Sequence, residues 1–436
     1  MLSFRGSRHG ELITITGPNL SGKTTELERL LNSAHGIIWD PDQGESSNIV
    51  VAKHPRDDIS NPGKIAGYPA LETADPDAIA ARVTRETEAV VISGINFFED
   101  PKIVDLLHAL VISNRKVYVA GHNLDWEGRP FNFMPQIMSI SNSFILKDAP
   151  CMVQGCRLGA TRSQKVGSLG ERRCLTHHYF KGRPDVRIDR LGGMELFVGN
   201  MYASKTTAWY EKMKELDAKG IRYAVFKWFN DKRFSERGKE YSVFDKGVIG
   251  MNNHKASIPA VLVRDMDDMI KYIKCETGIA ELDSMNARSP VSHIFIDEGQ
   301  FIKGIYNGVN DMIYQGYRFY VTGLLRTFKM EPFGEMAELL AIADKISVMY
   351  AYCESCGLKA TESQRLIVCQ GEKFPAPYMD KDIAVGSKET DEKVTEVYEA
   401  RCIDCMEIPG KPKGHYTFKR YVPISNSDFA LRSSHQ

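Results

Sequence analysis

Short apolar runs recur along the chain, each bounded by glycine or by polar turns. Leu12–Thr16 and Met194–Val198 each lead directly into a glycine-bearing loop. Val90–Ile92 and His293–Ile296 are the continuous apolar runs of buried parallel strands, and Val117–Ala120 and Arg318–Thr322 read as the next ones. After the second glycine loop the period changes. Trp209, Met213 and Leu216 recur at helical spacing, and Gly220 stands where that helix would be capped. Strands alternating with helices predict an α/β fold, with parallel sheets covered by helices on their faces.

The series of landmarks occurs twice. Gly17-Pro18-Asn19-Leu20-Ser21-Gly22-Lys23-Thr24-Thr25 has a counterpart in Gly199-Asn200-Met201-Tyr202-Ala203-Ser204-Lys205-Thr206-Thr207. Val90–Phe97 corresponds to Ile294–Phe301, Tyr118–Gly121 to Tyr320–Gly323, and Pro130-Phe131 to Pro332-Phe333. Cys151 and Cys156 correspond to Cys353 and Cys356. One order kept at near-constant spacing predicts two tandem copies of one domain. The expected division is 1–183 and 194–406. Residues 184–193 form a linker rich in charge, Pro and Gly, and 407–436 a tail. The tail carries Pro409, Pro412 and Pro423 and ends in a polar SSHQ, so it is expected to be partly mobile.

Composition narrows the function classes. The 436 residues include 56 Lys+Arg and 56 Asp+Glu, a formal net charge of zero, which argues against a partner that is polymeric nucleic acid. Hydrophobic residues at 43% and charged residues at 26% suit a globular protein rather than a disordered one. No run of 18 or more apolar residues appears, so no membrane span is expected, and the first residues lack the apolar core of a secretory signal. A cytoplasmic location is therefore expected. Most of the nine cysteines fall in two clusters, which in such a chain favours metal binding over disulfides.

GPNLSGKT matches G-x-x-x-x-G-K-[ST] in full and sits between an apolar strand and a helix. Its glycines, Gly17 and Gly22, let backbone N–H groups curl round phosphate oxygens. Lys23 would meet the β and γ phosphates, and Thr24, followed by Thr25, would hold Mg²⁺. The second loop keeps Gly199, Lys205, Thr206 and Thr207 but has Ser204 in place of the second glycine. A β-carbon in the backbone conformation required there costs about 1–2 kcal/mol, a strain that need not abolish binding. The strand Ile294–Ile296 ends in Asp297 and Glu298. An aspartate there supports Mg²⁺, and a second carboxylate can take a proton from an attacking hydroxyl. The first copy has Ser93 and Gly94 at these positions, and neither holds a metal or takes a proton at neutral pH.

Cys353-x-x-Cys356 and Cys402-x-x-Cys405 have the spacing of a four-thiolate zinc site. Cys151, Cys156, Cys174 and His177 form a less regular Cys₃His set. Its competing reading is three free thiols with His177 or His178 on the surface. Cys275 and Cys369 read as ordinary thiols.

Taken together, the second copy resembles the type II, zinc-containing thymidine kinase family over Met194–Met406. The likeness rests on the phosphate loop, the strand ending DEGQF, FKWFNDKRF at Phe226–Phe234 and GLLRTFKMEPF at Gly323–Phe333. It rests further on LLAIAD at Leu339–Asp344, and on Tyr398-Glu399-Ala400-Arg401-Cys402 within the two C-x-x-C pairs. The resemblance implies a RecA-like α/β domain with a zinc-held lasso over the nucleoside, and ATP-dependent phosphorylation of a deoxynucleoside 5′-hydroxyl in nucleotide salvage. It makes Glu298 the general base, Asp297 a metal support, and Lys205 and Thr206 the phosphate and Mg²⁺ ligands. It places Asp231, Arg233, Gln300, Phe301, Phe328 and Tyr398 around the substrate. Leu325 stands where the family carries an aspartate, and the lasso segment GEKFPAPYMDKDIAVGSKETDEK is longer than usual, so the expected substrate is thymidine or a related deoxynucleoside. The first copy resembles the family more faintly and reads as a pseudokinase or a structural copy. The family's tetramers imply a homo-oligomer, a dimer of tandem chains forming a pseudo-tetramer. Two other readings share the phosphate loop: a non-catalytic nucleotide-binding scaffold, and a RecA-like DNA-dependent ATPase.

Overall fold

The computed structural model describes residues 10–33, 48–57, 62–65, 68–166, 169–178, 192–231, 242–250, 257–282, 291–381 and 394–422. Two large sheets organise them. The first has six parallel strands, in the order Leu71–Glu72, Ile49–Lys53, Ala89–Ser93, Lys116–Gly121, Glu11–Thr16, Ser143–Leu146. The second repeats this order with Ser257–Val263, Tyr223–Trp228, His293–Asp297, Arg318–Gly323, Gly193–Gly199 and Lys345–Met349, and adds the antiparallel edge strand Lys246–Gly250. The central strands are apolar on both faces, as parallel strands covered by helices must be. Helix Lys205–Ala218 buries Trp209, Met213 and Leu216 and ends at Gly220, whose φ of 64° closes the turn.

The repeat extends to single hydrogen bonds. Leu12 N donates to Asn142 Oδ1 at 2.8 Å, and Met194 N to Asp344 Oδ2 at 2.9 Å. Asn19 N donates to Ser163 Oγ at 2.8 Å, and Met201 N to Ser363 Oγ at 2.9 Å. Each pair ties corresponding elements, so both halves fix their phosphate loops by the same local rules.

The halves share a core. Helices Met134–Ser139 and Met336–Ile342 pack together, with Ile137, Met138, Met336, Leu339 and Leu340 fully buried. Each such side chain removed from water contributes about 1.5–3 kcal/mol. Polar bonds cross at the ends of these helices. Asn123 Nδ2 donates to Ala341 O at 2.6 Å, Arg326 Nη1 to Ser139 O at 2.8 Å, and Tyr350 Oη to Asn142 O. Arg162, 1% exposed, donates to Ile342 O at 3.3 Å and lies 3.6 Å from Asp344.

Beyond each sheet lies a small β-subdomain. The first holds the antiparallel pair Arg162–Val166 and Leu169–Arg173, and the second the three strands Glu372–Pro375, Glu362–Cys369 and Val394–Arg401. Part of the expected tail makes defined contacts. Residues 407–422 run from the second subdomain onto the first half, where Tyr416 and Phe418 pack against the core. A run without periodicity gave no sign of these contacts. Residues 423–436 and positions 184–191 of the expected linker 184–193 lie outside the described residues, and Gly193 already opens the strand Gly193–Gly199.

Candidate active site

In both halves the phosphate loop joins a buried strand to a helix, and the lysine folds back over its own loop. Lys205 Nζ donates to Gly199 O at 3.2 Å and Asn200 O at 2.9 Å; Lys23 Nζ donates to Gly17 O at 3.2 Å and Pro18 O at 2.7 Å. Burial pulls the Lys23 amine down to about 8, and the charge of Asp57 opposes that shift. Gly22 has φ +83°, and a Cβ added there would meet nothing within 4 Å. Ser204 therefore carries the backbone strain of φ 57° without a steric clash. Thr206 and Thr207 are half-buried at the start of the second helix, whereas Thr24 and Thr25 are exposed.

The acidic strand end is built with more constraint. Asp297 is 5% exposed and accepts a hydrogen bond from Thr322 Oγ1 at 2.7 Å. The same hydroxyl accepts from Glu298 N at 3.2 Å. Glu298 adopts φ 53°, ψ 53°, a left-handed conformation that costs a non-glycine residue about 1–3 kcal/mol and is typical of functional positions. Gln300 orients its carboxylate: Nε2 donates to Glu298 Oε2 at 2.5 Å, while Oε1 accepts from Leu324 N at 3.1 Å. Phe301 stacks on Trp228 at 4.7 Å and meets Phe333 edge-on at 5.4 Å. Lys227, neighbouring Asp297 across the sheet, is buried with its Nζ 3.4 Å from Asp231 Oδ2 and donates to Val248 O at 3.0 Å.

The remaining substrate candidates belong to the lasso side. Phe328 is 2% exposed beneath Arg365, whose guanidinium lies 5.1 Å from its ring centre. Arg365 itself donates to Glu396 Oε1 at 2.5 Å and lies 3.3 Å from Asp380. Tyr398 pairs with Arg365 across the lasso sheet, and its carbonyl accepts from Tyr202 Oη at 3.2 Å, which joins lasso to phosphate loop. Arg233 lies outside the described residues.

The first half keeps the frame without the acids. Gly94 occupies the left-handed position of Glu298, with φ 71°. Ser93 Oγ donates to Asp57 Oδ2 at 2.5 Å. Asn96 repeats the clamp of Gln300, its Oδ1 accepting from His122 N at 3.0 Å, but its buried Nδ2 has no partner because no carboxylate follows Ser93.

Both cysteine sets converge. In each, the four ligand atoms lie within 4.8 Å of one another. Tetrahedral Zn–S bonds of about 2.3 Å require sulfurs about 3.8 Å apart. Cys156 and Cys174 Sγ are 3.8 Å apart, and Cys356 and Cys402 Sγ 3.6 Å. His177 Nδ1 faces the first set, 3.2 Å from Cys174 Sγ. The donor types and spacings thus fit Zn²⁺ in both sets. His178 is not a surface residue: it is 1% exposed and pairs with Tyr314 Oη at 3.0 Å.

A family model described as thymidine kinase matches residues 10–176 and again 192–406. The chain belongs to the thymidine kinase family. A thymidine kinase of Ureaplasma urealyticum serovar 10 (strain ATCC 33699 / Western) is 30% identical over 224 residues, which is 51% of this chain and 86% of that protein. The chain is accordingly a kinase. The family implies ATP, with Mg²⁺, as phosphoryl donor and thymidine as the nucleoside class. Among the described residues no helix is long and apolar enough to cross a membrane.

In this kinase, residue patterns alone missed three contributors. Thr322 bridges Asp297 and the Glu298 backbone; its signal was a hydroxyl at the end of the adjacent strand. Lys227 lies four residues before Asp231, and the same spacing recurs as Lys53 and Asp57 in the first half. Trp228 supplies the face on which Phe301 stacks.

Proposed function

We propose that the second half phosphorylates the 5′-hydroxyl of thymidine or a related deoxynucleoside, and that the first half performs no phosphoryl transfer. The division at 1–183 and 194–406, with 184–193 between them, is part of this reading. The observation that carries it is the acidic strand end. Glu298 is held in a left-handed turn by Thr322 and Gln300, whereas the first half has Gly94.

In the proposed reaction Glu298 accepts the proton of the 5′-hydroxyl. The 5′-oxygen bonds to the γ-phosphorus, the bond from that phosphorus to the β–γ bridging oxygen breaks, and ADP leaves with the electron pair. Lys205 and the loop N–H groups orient the phosphates, which supplies most of what phosphoryl transfer needs. Thr206 and Asp297 would hold Mg²⁺, which when bound neutralises charge on the phosphates. Asp231, Phe301, Phe328 and Tyr398 surround the nucleoside in this reading, with Arg233 beside them. Lys23 and its loop keep the donors for a phosphate chain, so the first half binds nucleotide without consuming it. Two chains associate through their homologous halves.

A nucleoside panel with labelled ATP on the intact chain tests this. Lys205→Ala should remove transfer, and Lys23→Ala should leave it and lower nucleotide stoichiometry from two to one. Transfer that survives Lys205→Ala and is lost in Lys23→Ala would reverse the assignment. No transfer to any nucleoside would favour the scaffold reading.

A further inference from the structure

Residues 407–422 connect the nucleoside end of the second half to the first half. At the near end, Gln364 on the lasso brackets Glu407, accepting from its N at 2.8 Å and donating to its O at 2.9 Å. Tyr378 N donates to Pro409 O at 2.8 Å, and Lys411 Nζ donates to the carbonyl of Lys329, next to Phe328, at 2.7 Å. Arg420 reaches Asp404, inside the second cysteine pair, at 2.5 Å.

The far end is seated on the first half. Tyr421 N donates to Ser113 O at 2.8 Å, and Asn114 Nδ2 donates to Tyr421 O at 2.9 Å. Arg115, 1% exposed, donates to Lys419 O at 3.0 Å with its guanidinium 5.5 Å from the Phe418 ring centre. Tyr416 Oη donates to Asp77 Oδ1 at 2.6 Å. Backbone, aromatic and charged contacts along one short segment make a built seat. Such a seat constrains the segment more than isolated surface contacts would.

We propose that this strap positions the substrate loop 323–333 and the lasso of the second half by anchoring them on the first half, with Lys411, Tyr416, Phe418 and Tyr421 as its positioning residues. The inference rests on the second half being the phosphorylating one. These bonds fall on Lys329, Gln364, Tyr378 and Asp404, all on the lasso side of the site. Loosening the strap therefore acts on nucleoside binding rather than on the phosphate loop. The non-phosphorylating half gains a task that needs no catalytic acid: it is the fixed end of the strap.

The test uses the full chain. Phe418→Ala with Tyr421→Ala removes the side-chain part of the far seat, the Phe418 ring at Arg115 and the Tyr421 hydroxyl on Glu88, and Lys411→Met removes the bond to the substrate loop. Asn114→Gly deletes one strap bond while suiting the positive φ of 67° at that residue. Losing one or two such bonds should raise the thymidine KM about 3–20-fold, with the ATP KM within about twofold. Tyr421→Phe keeps the ring and the backbone bonds and loses only the 3.2 Å bond from its hydroxyl to Glu88 Oε2, so it should fall at the low end of that range. Hydrogen exchange at 394–401 should accelerate in the same variants, a readout that does not depend on turnover. Unchanged thymidine KM and unchanged exchange would overturn the inference, as would an equal rise in the ATP KM. A chain that phosphorylates no nucleoside while its strap variants still show faster lasso exchange would count against the functional reading and not against the strap.

Discussion

A Cβ placed on Gly94 would lie 2.5 Å from the Cβ of Asp57. Asp57 therefore occupies the space that a side chain at position 94 would need. Its carboxylate accepts from Ser93, the residue standing in place of Asp297. The absence of acids at positions 93 and 94 and the occupation of this space go together. Restoring one residue should not restore chemistry: Gly94→Glu in a Lys205→Ala background should give no detectable thymidine phosphorylation and should lower stability by about 1–3 kcal/mol. Transfer assays and urea unfolding of that double variant check both parts.

Ser204 offers the opposite case. Its strain lies in the backbone alone, since the matching Gly22 has open space where a side chain would go. Ser204→Gly should therefore stabilise the chain by about 1 kcal/mol, with nucleotide binding retained. Chemical denaturation reads the gain, and a loss would show that the Ser204 side chain makes a contact worth more than the strain it causes.

The two thiolate-bearing clusters predict two zinc ions per chain. Elemental analysis should give a ratio near two. Cys353→Ser and Cys174→Ser should each lower it by one, because the two sets share no ligand. Chelation should destabilise the lasso before the sheets, since the second set staples only the ends of the lasso strands.

Two half-buried histidines set an acid limit on stability. Burial, aided by Lys23, pushes His122 down to about 3; burial, aided by Lys411 and Arg326, pushes His108 down to about 4. The unfolded chain takes up these protons near pH 6.5, while the folded chain takes them up only much lower. Over that window the unfolded state binds more protons, so stability is full above pH 6.5 and falls as the pH drops. The slope should be about 1.4 kcal/mol per pH unit for each histidine. His122→Gln should flatten the profile between pH 6 and 4, and an unaltered slope in urea midpoints would contradict this.

Much of the frame is legible in the residues because it rests on short-range rules. The strands around Val90–Ile92 and His293–Ile296, the two loops and the cysteine sets depend on local apolar runs and on fixed spacing. What was not legible depends on distant pairings. Thr322 matters only because the sheet sets it beside Asp297. His178, placed on the surface only as one option of the free-thiol reading, is buried through its pairing with Tyr314 in the other half. Residues 407–422 carry no periodicity, and their order comes from Ser113, Asn114 and Arg115, roughly 300 positions away in the sequence.

In the proposed reaction Glu298 is the base. Single-turnover transfer of labelled phosphate from ATP to thymidine measures its contribution directly. Glu298→Gln keeps the shape of the side chain beside Gln300 but cannot accept the proton. It should slow transfer by about 10²–10⁴-fold while ATP binding holds. Transfer at the rate of the unaltered chain would contradict the central claim.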